Sequence, residues 1–166
     1  MDQNNVLYAI ENRCLYLVMT GAVRHTLCTN LDILLRKVMD KDDVDKFVID
    51  LRPATYLDST SLGLIARMAR YMSNKKSGKL VLISTNDDVN QILNSVQFGS
   101  IATIVDNWKN LPDTFCETED YSEQVQSHRD LVLKSHQELA QINEVNRKKF
   151  AEIIQSLEKK YKKKSK

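Results

Sequence analysis

Residues Phe47 to Met72, FVIDLRPATYLDSTSLGLIARMARYM, decide the fold that the sequence predicts. The segment opens with the apolar, partly β-branched run FVIDL, which is typical of a buried strand. From Ser59 onward the apolar residues recur at steps of three and four, which is the spacing of a helix. One carboxylate and three hydroxyls, Asp58 and Ser59-Thr60-Ser61, stand between the two patterns. The segment therefore predicts a strand that leads directly into a helix with a polar first turn.

Strand and helix patterns alternate along residues 5–107. Two extended runs, VLYAIEN and CLYLVMTG, meet at the polar stretch Glu11-Asn12-Arg13 and indicate a β-hairpin. The helical pattern TNLDILLRKVMD follows, and after the Phe47 segment come the strand GKLVLIST, the helix DVNQILNSVQ and the strand IATIVDN. The order ββαβαβαβ predicts an α/β fold with a mixed β-sheet covered by α-helices, because parallel strands need crossover helices.

The sequence changes character after residue 108. Residues 109–121 are polar and contain a proline, which indicates a linker between a domain at 1–108 and an extension at 122–166. The extension lacks Pro and Gly and repeats its apolar residues at helical steps. It predicts one long amphipathic helix, or two with a break near NEVN, followed by the basic tail KKYKKKSK. The apolar stripe needs a partner surface, and three remain open: the domain itself, a second copy in a homodimer, or another protein.

Composition narrows the class of protein. The 166 residues fit one ordinary domain with an appendage, and three scattered cysteines without a C-x-x-C pair predict reduced thiols. The net charge of +2 gives no argument for nucleic acid, and the lysine run lacks interleaved aromatic residues. The N-terminus does not resemble a signal peptide, and no apolar run approaches the roughly 18 to 20 residues of a membrane span. We expect a soluble cytoplasmic protein without a membrane or nucleic-acid partner.

The sequence contains no recognisable catalytic constellation. Ser59 lacks the flanking glycines of the G-x-S-x-G nucleophile elbow, and no glycine-rich phosphate loop is present. The acidic run DKDDVDK at 40–46 lacks the glycine and glutamate of a calcium loop. His128 and His136 are eight residues apart, without evident further metal ligands. We therefore predict a protein that is not an enzyme and that uses no metal or cofactor.

Two explanations remain open for the polar cluster before the helix. In the first, Asp58 or Ser59 caps the helix by accepting a hydrogen bond from a free backbone amide. Capping needs only one such residue, however, and four stand together. In the second, the cluster carries a phosphate, which the unpaired N–H groups and the positive dipole end of a helix N-terminus tolerate. A phosphoserine there adds about 1.5 to 2 negative charges and changes the surface that a partner meets without unfolding the domain.

The segment resembles the phosphorylation segment of STAS domains, the anti-sigma-factor antagonists of bacterial partner-switching systems. The hallmark of that family is Asp-Ser-[Ser/Thr]-Gly-[apolar]-Gly between the third strand and the second helix, and residues 58–63 of this chain are Asp-Ser-Thr-Ser-Leu-Gly. The resemblance implies the STAS fold and phosphorylation of Ser59, the first hydroxyl after the aspartate. Ser61 replaces the usual glycine and is the alternative acceptor.

The resemblance also implies a partner-binding face around the phosphorylation site. The residues that it places on this face are Thr20, Gly21, Arg24, Asp58, Thr60, Ser61, Leu62, Thr85 and Asn86. Many antagonists carry an aspartate soon after the glycine that follows the second strand, whereas this chain carries Arg24. A basic side chain there predicts either a different kinase preference or a charged hydrogen bond to the phosphoserine.

Two further stretches, TGAVRHTLCTNLD and LKSHQELAQINEVNRKKFAEIIQSLE, resemble the HsbA-type antagonists of gammaproteobacteria. This resemblance implies that the unphosphorylated protein binds an anti-sigma factor and thereby releases a sigma factor. It also implies a response regulator with serine kinase and phosphatase activities, a diguanylate cyclase as a partner of the phosphorylated form, and control of flagella and biofilm. The alternative is a STAS scaffold that is never phosphorylated and assembles a larger complex through its C-terminal helix.

Overall fold

The fold is described from a computed structural model that covers residues 3–119 and 128–164. Its strands are β1 (Asn5–Glu11), β2 (Cys14–Val23), β3 (Lys46–Asp50), β4 (Ala54–Leu57), β5 (Leu80–Ile83), β6 (Ala102–Val105) and β7 (Cys116–Glu117). Its helices are α1 (His25–Asp40), α2 (Ser59–Lys75), α3 (Asp87–Ser95), α4 (His128–Ala140) and α5 (Glu144–Lys164), with a 3-10 turn at Phe98–Ser100.

The strands form one mixed sheet in the order β6-β5-β3-β2-β1-β7, and β4 pairs with the end of β2. β1 runs antiparallel to β2 and β7, whereas β2, β3, β5 and β6 are parallel neighbours. The predicted mixed sheet and the order ββαβαβαβ are confirmed. The structure adds two short strands, β4 and β7, which have four and two residues. Strands this short present too few residues for a periodic pattern to show in the sequence.

Helix α2 is the central helix of the domain. Every residue from Thr60 to Ala66 is buried, although the apolar stripe predicted from sequence covers only one side of the helix. The cause is a second layer, because α2 packs between the sheet and α4. Leu131 and Leu139 of α4 belong to the same apolar core as the buried leucines of α2. A helix that is buried on both sides is held by packing and not by its own propensity.

The C-terminal extension forms two antiparallel helices, α4 and α5, which we call the C-terminal hairpin. The helices are separated at residues 141–143, close to the predicted break. Asn143 begins α5 by accepting a hydrogen bond from the Asn146 amide at 2.9 Å, and the buried Asn146 side chain donates to the Val96 carbonyl at 2.9 Å. The sequence left three possible partners for the apolar stripe. In the structure the hairpin packs against the domain itself. Residues 122–127 of the predicted helix lie outside the described residues.

The segment predicted as a linker crosses the second face of the sheet. It leaves β6 at one edge and forms β7 at the other, where Cys116 pairs with Tyr8 of β1. On the way Leu111 packs against a small apolar cluster that includes Val48 and Ile83. The described part of the predicted linker, residues 109–119, therefore contacts the domain through Leu111 and β7 while most of its residues stay exposed. Residues 120–121 lie outside the described part of the chain.

We expect Gly63→Ala to loosen the C-terminal hairpin. A Cβ at Gly63 would stand 2.3 Å from Cβ, 2.4 Å from Cα and 2.5 Å from the carbonyl oxygen of Ser135, so that α2 and α4 must separate. Overpacking of this kind costs about 1 to 3 kcal/mol, which exceeds the gain of about 1 kcal/mol in helix propensity. Chemical denaturation measures the loss, and limited proteolysis shows whether the hairpin has become accessible.

Gly99→Ala is the matched control, because a Cβ at Gly99 has no atom within 4 Å. A Gly63→Ala variant as stable and as protease-resistant as the Gly99→Ala variant would contradict the close contact between α2 and α4.

Candidate functional site

The polar cluster lies where two parallel strands end side by side. β2 and β4 are paired up to Val23 and Leu57, and each strand is followed by a single residue and then a helix. The Asp58 amide donates to the Val23 carbonyl at 3.2 Å, which closes the end of the pair. The N-termini of α1 and α2 therefore lie next to each other, and each brings unpaired N–H groups and a positive dipole end.

One carboxylate serves both helix N-termini. Asp58 Oδ1 accepts a hydrogen bond from the Ser61 amide at 2.9 Å, which caps α2. Asp58 Oδ2 accepts one from the His25 amide at 2.7 Å, which supplies α1 with an acceptor that the side chain at its own N-cap, Arg24, does not provide. Asp58 therefore caps the helix, as one of the two predictions for the cluster had it. None of the three hydroxyls is needed as a cap.

The three hydroxyls of the cluster differ sharply in their surroundings. Ser61 is 0% exposed, and its Oγ donates to the Asp58 carbonyl at 2.8 Å. Thr60 is buried as well, whereas Ser59 is half-buried. A protein kinase needs its acceptor hydroxyl at the surface, so Ser59 is the most accessible acceptor of the three and Ser61 is enclosed.

Arg24 and Tyr56 form a surface next to Ser59. The exposed guanidinium of Arg24 lies over the Tyr56 ring, 4.7 Å from its centroid, and the tyrosine is 40% exposed. A cation in this position is attracted by the ring face and gives up little hydration. His25 is also at the surface, with its Nδ1 3.8 Å from Asp58 Oδ2. Sequence reasoning missed Tyr56 and His25, although Tyr56 stands only two residues before Asp58.

The remaining residues of the expected partner face lie elsewhere. Gly21, buried with φ at 71°, donates to the Pro53 carbonyl, and Asn86 donates to the Ala54 carbonyl at 3.4 Å. These contacts are at the start of β4, whereas Ser59 lies beyond its other end. Leu62 points into the core.

Asn86 belongs to the loop before α3, together with Thr85, and Thr20 belongs to β2. Asn86 caps α3 by accepting from the Asp88 amide at 2.8 Å, Thr85 is exposed, and Thr20 is half-buried. The structure thus brings Arg24, Asp58 and Ser59 together at one end of β4 and leaves Gly21, Thr85 and Asn86 at the other.

The thiol beside the cluster has little nucleophilic character. Burial raises the pKa of the Cys28 thiol well above its ordinary value, and the charges of Asp58 and Asp32 add to the effect. Thiolate is the nucleophilic form, so Cys28 stays a neutral core residue at physiological pH.

The described residues contain neither a metal-binding cluster nor a membrane-spanning helix. Within residues 3–119 and 128–164, no group of three His, Cys, Asp or Glu side chains is arranged to hold a metal ion. None of the helices described here is both long enough and apolar enough to cross a membrane.

We expect Asp58→Ala to cost about 2 kcal/mol of unfolding free energy, because two helix N-termini lose an acceptor worth about 1 kcal/mol each. Asn86→Ala is the matched control, since Asn86 caps only α3 and otherwise makes one long hydrogen bond of 3.4 Å to the Ala54 carbonyl, so its loss should be about half as large. Urea denaturation of both variants measures the difference. Equal losses would argue against a double cap.

The chain was compared with known families and structures. The model of the STAS domain family matches residues 6–111. SpoIIAA, an anti-sigma factor antagonist, matches in its unphosphorylated form with a TM-score of 0.52 and 15% identity over 66% of this chain and 91% of its own. The phosphorylated form of the Bacillus cell fate determinant SpoIIAA matches with a TM-score of 0.50 and 12% identity, over 63% and 91%.

The NMR structure of the protein TM1081 matches with a TM-score of 0.50 and 23% identity, over 60% of this chain and 79% of its own. No curated protein sequence matches. Identities this low establish a shared fold, whereas the family model spans well over half of the chain. The chain therefore belongs to the STAS domain family.

Proposed function

We propose that this STAS protein is an anti-sigma-factor antagonist whose partner binding is switched by phosphorylation of Ser59. The observation that carries the proposal is the contrast within one helical turn: Ser59 reaches the surface, while Thr60 and Ser61 are buried. The fold supports it, because SpoIIAA, a protein of similar fold described as an anti-sigma factor antagonist, has been solved in unphosphorylated and phosphorylated forms.

The electrostatics of the site explain how a phosphate would act. Asp58 already occupies the cap positions of α1 and α2, so a phosphoryl group on Ser59 would not enter the cap. It would stay at the surface and add about 1.5 to 2 negative charges beside an existing carboxylate. A partner that binds the neutral surface would meet charge repulsion and an unpaired phosphate, which weakens binding. The domain itself would be unchanged, because Ser59 lies outside the core.

Arg24 is the charged side chain best placed to form an ion pair with the phosphate. It follows β2 directly, while Ser59 begins the helix after the paired strand β4. In the structure its guanidinium rests on Tyr56, which is a weak and easily exchanged contact at an exposed site. A charge-assisted hydrogen bond to a phosphoserine is stronger. Arg24 would then leave the Tyr56 ring in the phosphorylated state, so that partners meet a different surface.

The proposed partners follow from this switch. The unphosphorylated protein binds an anti-sigma factor and so frees a sigma factor. A response regulator with serine kinase and phosphatase activities sets the state of Ser59, and a diguanylate cyclase binds the phosphorylated form in the control of flagella and biofilm. Arg24, Tyr56 and the exposed Thr85 contact these partners. The buried members of the expected face, Gly21, Thr60, Ser61 and Leu62, together with Thr20 and Asn86, hold the backbone beneath them.

A scaffold function is the second candidate, and an exposed apolar surface favours it. Val145 and Ile153 of α5 are 57% and 41% exposed and stand eight residues apart on the hairpin. They offer a contact for another copy or another protein, which a scaffold that is never phosphorylated would use. Absence of phosphate on Ser59 under every growth condition would favour this candidate.

We expect phosphate on Ser59 in protein purified from its native cell. Phosphopeptide mapping by mass spectrometry should locate it there, and Ser59→Ala should abolish it. Ser61→Ala is the matched control and should keep the modification, because the Ser61 hydroxyl is enclosed. Phosphate on Ser61 alone would move the site and contradict the accessibility argument.

Partner binding tests the switch itself. Purified anti-sigma factors of the same organism should bind the unphosphorylated protein at least about tenfold more tightly than the Ser59-phosphorylated protein, since a new interfacial charge costs at least about 1.4 kcal/mol. Calorimetric titration measures both affinities. Equal affinities for every such factor would rule out the antagonist function.

We expect Arg24→Ala to change the phosphorylated state more than the unphosphorylated one. Loss of the charged hydrogen bond should speed removal of the phosphate by the phosphatase or alter partner choice. Phosphorylation kinetics and binding titrations on Arg24→Ala and Arg24→Lys report the effect. Identical rates and affinities in the wild type and both variants would show that Arg24 does not sense the phosphate.

A further inference from the structure

The C-terminal hairpin covers the side of α2 that begins at Ser59. Gly63, Ala66 and Arg70 line the spaces between α2 and the hairpin. They follow Ser59 at successive steps of three or four residues, and such steps stay on one side of a helix. We call this side of α2 the Ser59 stripe. A partner that extended its contact from Ser59 along the stripe would meet the hairpin.

Helix α4 runs in the same direction as α2, and its cover begins close to Ser59. The contacts occur in the same order on both helices: Gly63 meets Ser135, and Arg70, further along α2, pairs with Glu138. Gly63 lies about one turn of helix after Ser59. The hairpin and a partner bound at Ser59 would therefore compete for neighbouring turns of one helix.

The interface under the hairpin encloses polar atoms that have no partner. Nε and Nη2 of Arg67, Oγ of Ser135 and Oδ1 of Asn146 are closed off from solvent and make no hydrogen bond to any described residue. Arg67 and Ser135 line the space between α2 and α4, and Asn146 fastens the start of α5 to the Val96 carbonyl. Enclosed polar groups without partners are costly, and release of the hairpin would return these atoms to water. The docked state is therefore weakened by the groups that it encloses.

The contacts that oppose release are few. Leu131 and Leu139 are the only buried apolar side chains among the described residues of the hairpin. Arg70 Nε donates to Glu138 Oε2 at 2.9 Å, but the Arg70 side chain is half exposed, so water can replace Glu138 at little cost. The family model ends at residue 111, which makes the hairpin an addition to the STAS domain. The hairpin can therefore leave α2 without removing a strand or helix of the domain.

We propose that the C-terminal hairpin is a releasable cover, which opens from α2 while the STAS domain stays folded and thereby uncovers the Ser59 stripe. The identity of the partner that takes the stripe, an anti-sigma factor, rests on the proposed function. A partner that binds only the open form has its apparent affinity reduced in proportion to the fraction of open molecules. The docked hairpin is thus an autoinhibitory contact, and a bound partner holds it open.

Native-state hydrogen exchange of the full-length chain, read by mass spectrometry, tests the release. Amides in the second half of α4 should show protection factors at least about tenfold lower than those of β2 and β3. Their exchange should also depend less on added urea, because a local opening exposes less surface than global unfolding. Equal protection and equal urea dependence in α4, β2 and β3 would show that the hairpin leaves only by global unfolding, which would overturn the proposal.

Ser135→Ala is the sharpest variant, because it should strengthen the docked state. It removes a hydroxyl that docking leaves unpaired, so the opening of α4 should become about tenfold rarer. Glu138→Ala removes the partner of Arg70 and should make the opening more frequent. Glu152→Ala, which removes an exposed carboxylate of α5, is the matched control and should exchange like the parent. Unchanged protection in Ser135→Ala, or equal changes in Glu138→Ala and Glu152→Ala, would contradict the interface described here.

Calorimetric titration of the same variants with anti-sigma factors of the same organism tests the autoinhibition. Ser135→Ala should weaken binding, and Glu138→Ala should strengthen it, by the factors by which each changes the opening. Both substitutions lie on the cover and leave the Ser59 stripe intact. Altered opening with unchanged affinity would overturn the autoinhibitory contact.

Failure of the proposed function has a different signature. If no anti-sigma factor binds the parent or any variant, the antagonist function and the autoinhibition are both contradicted. Hydrogen exchange needs no partner and decides by itself whether the hairpin opens.

Discussion

The hydrogen bonds of Asp58 to two helix N-termini are the constraint on which the functional end of this domain depends. α1 and α2 begin side by side because β2 and β4 end side by side, and both helices present unpaired amides there. The Asp58 carboxylate accepts hydrogen bonds from the Ser61 and the His25 amides. With the cap filled by an acidic side chain, the neighbouring hydroxyls are released from that task, and they separate into enclosed and accessible groups.

This arrangement separates enclosed from accessible hydroxyls within one turn of helix. Ser61 binds the Asp58 carbonyl and belongs to the frame, whereas Ser59 stands outside it. A charge added at Ser59 would therefore act on whatever approaches the surface, and the fold beneath it would not be required to move. A switch built in this way changes binding without unfolding, which is the simplest physical basis for partner exchange.

Helix α2 connects this surface with the rest of the molecule. Its N-terminus carries Ser59, one flank packs on the sheet, and the other is covered by α4. The covering depends on Gly63, whose missing side chain allows α4 to approach. The same interface also contains the unpaired groups of Arg67 and Ser135. Close packing at Gly63 therefore anchors the hairpin against α2.

The sequence by itself determined the α/β class, the order of the main strands and helices, the helical character of the C-terminal extension and the STAS-like segment around Asp58. Those features rest on local periodicity and on residue types at short spacing, which one chain displays directly. Tertiary structure alone decided that Ser61 is enclosed, that Tyr56 stands under Arg24 and that α4 covers α2. The last two depend on residues far apart in sequence: covering of the outer side of α2 needs the helix some 70 residues later, and the Arg24–Tyr56 contact needs the pairing of β2 with β4.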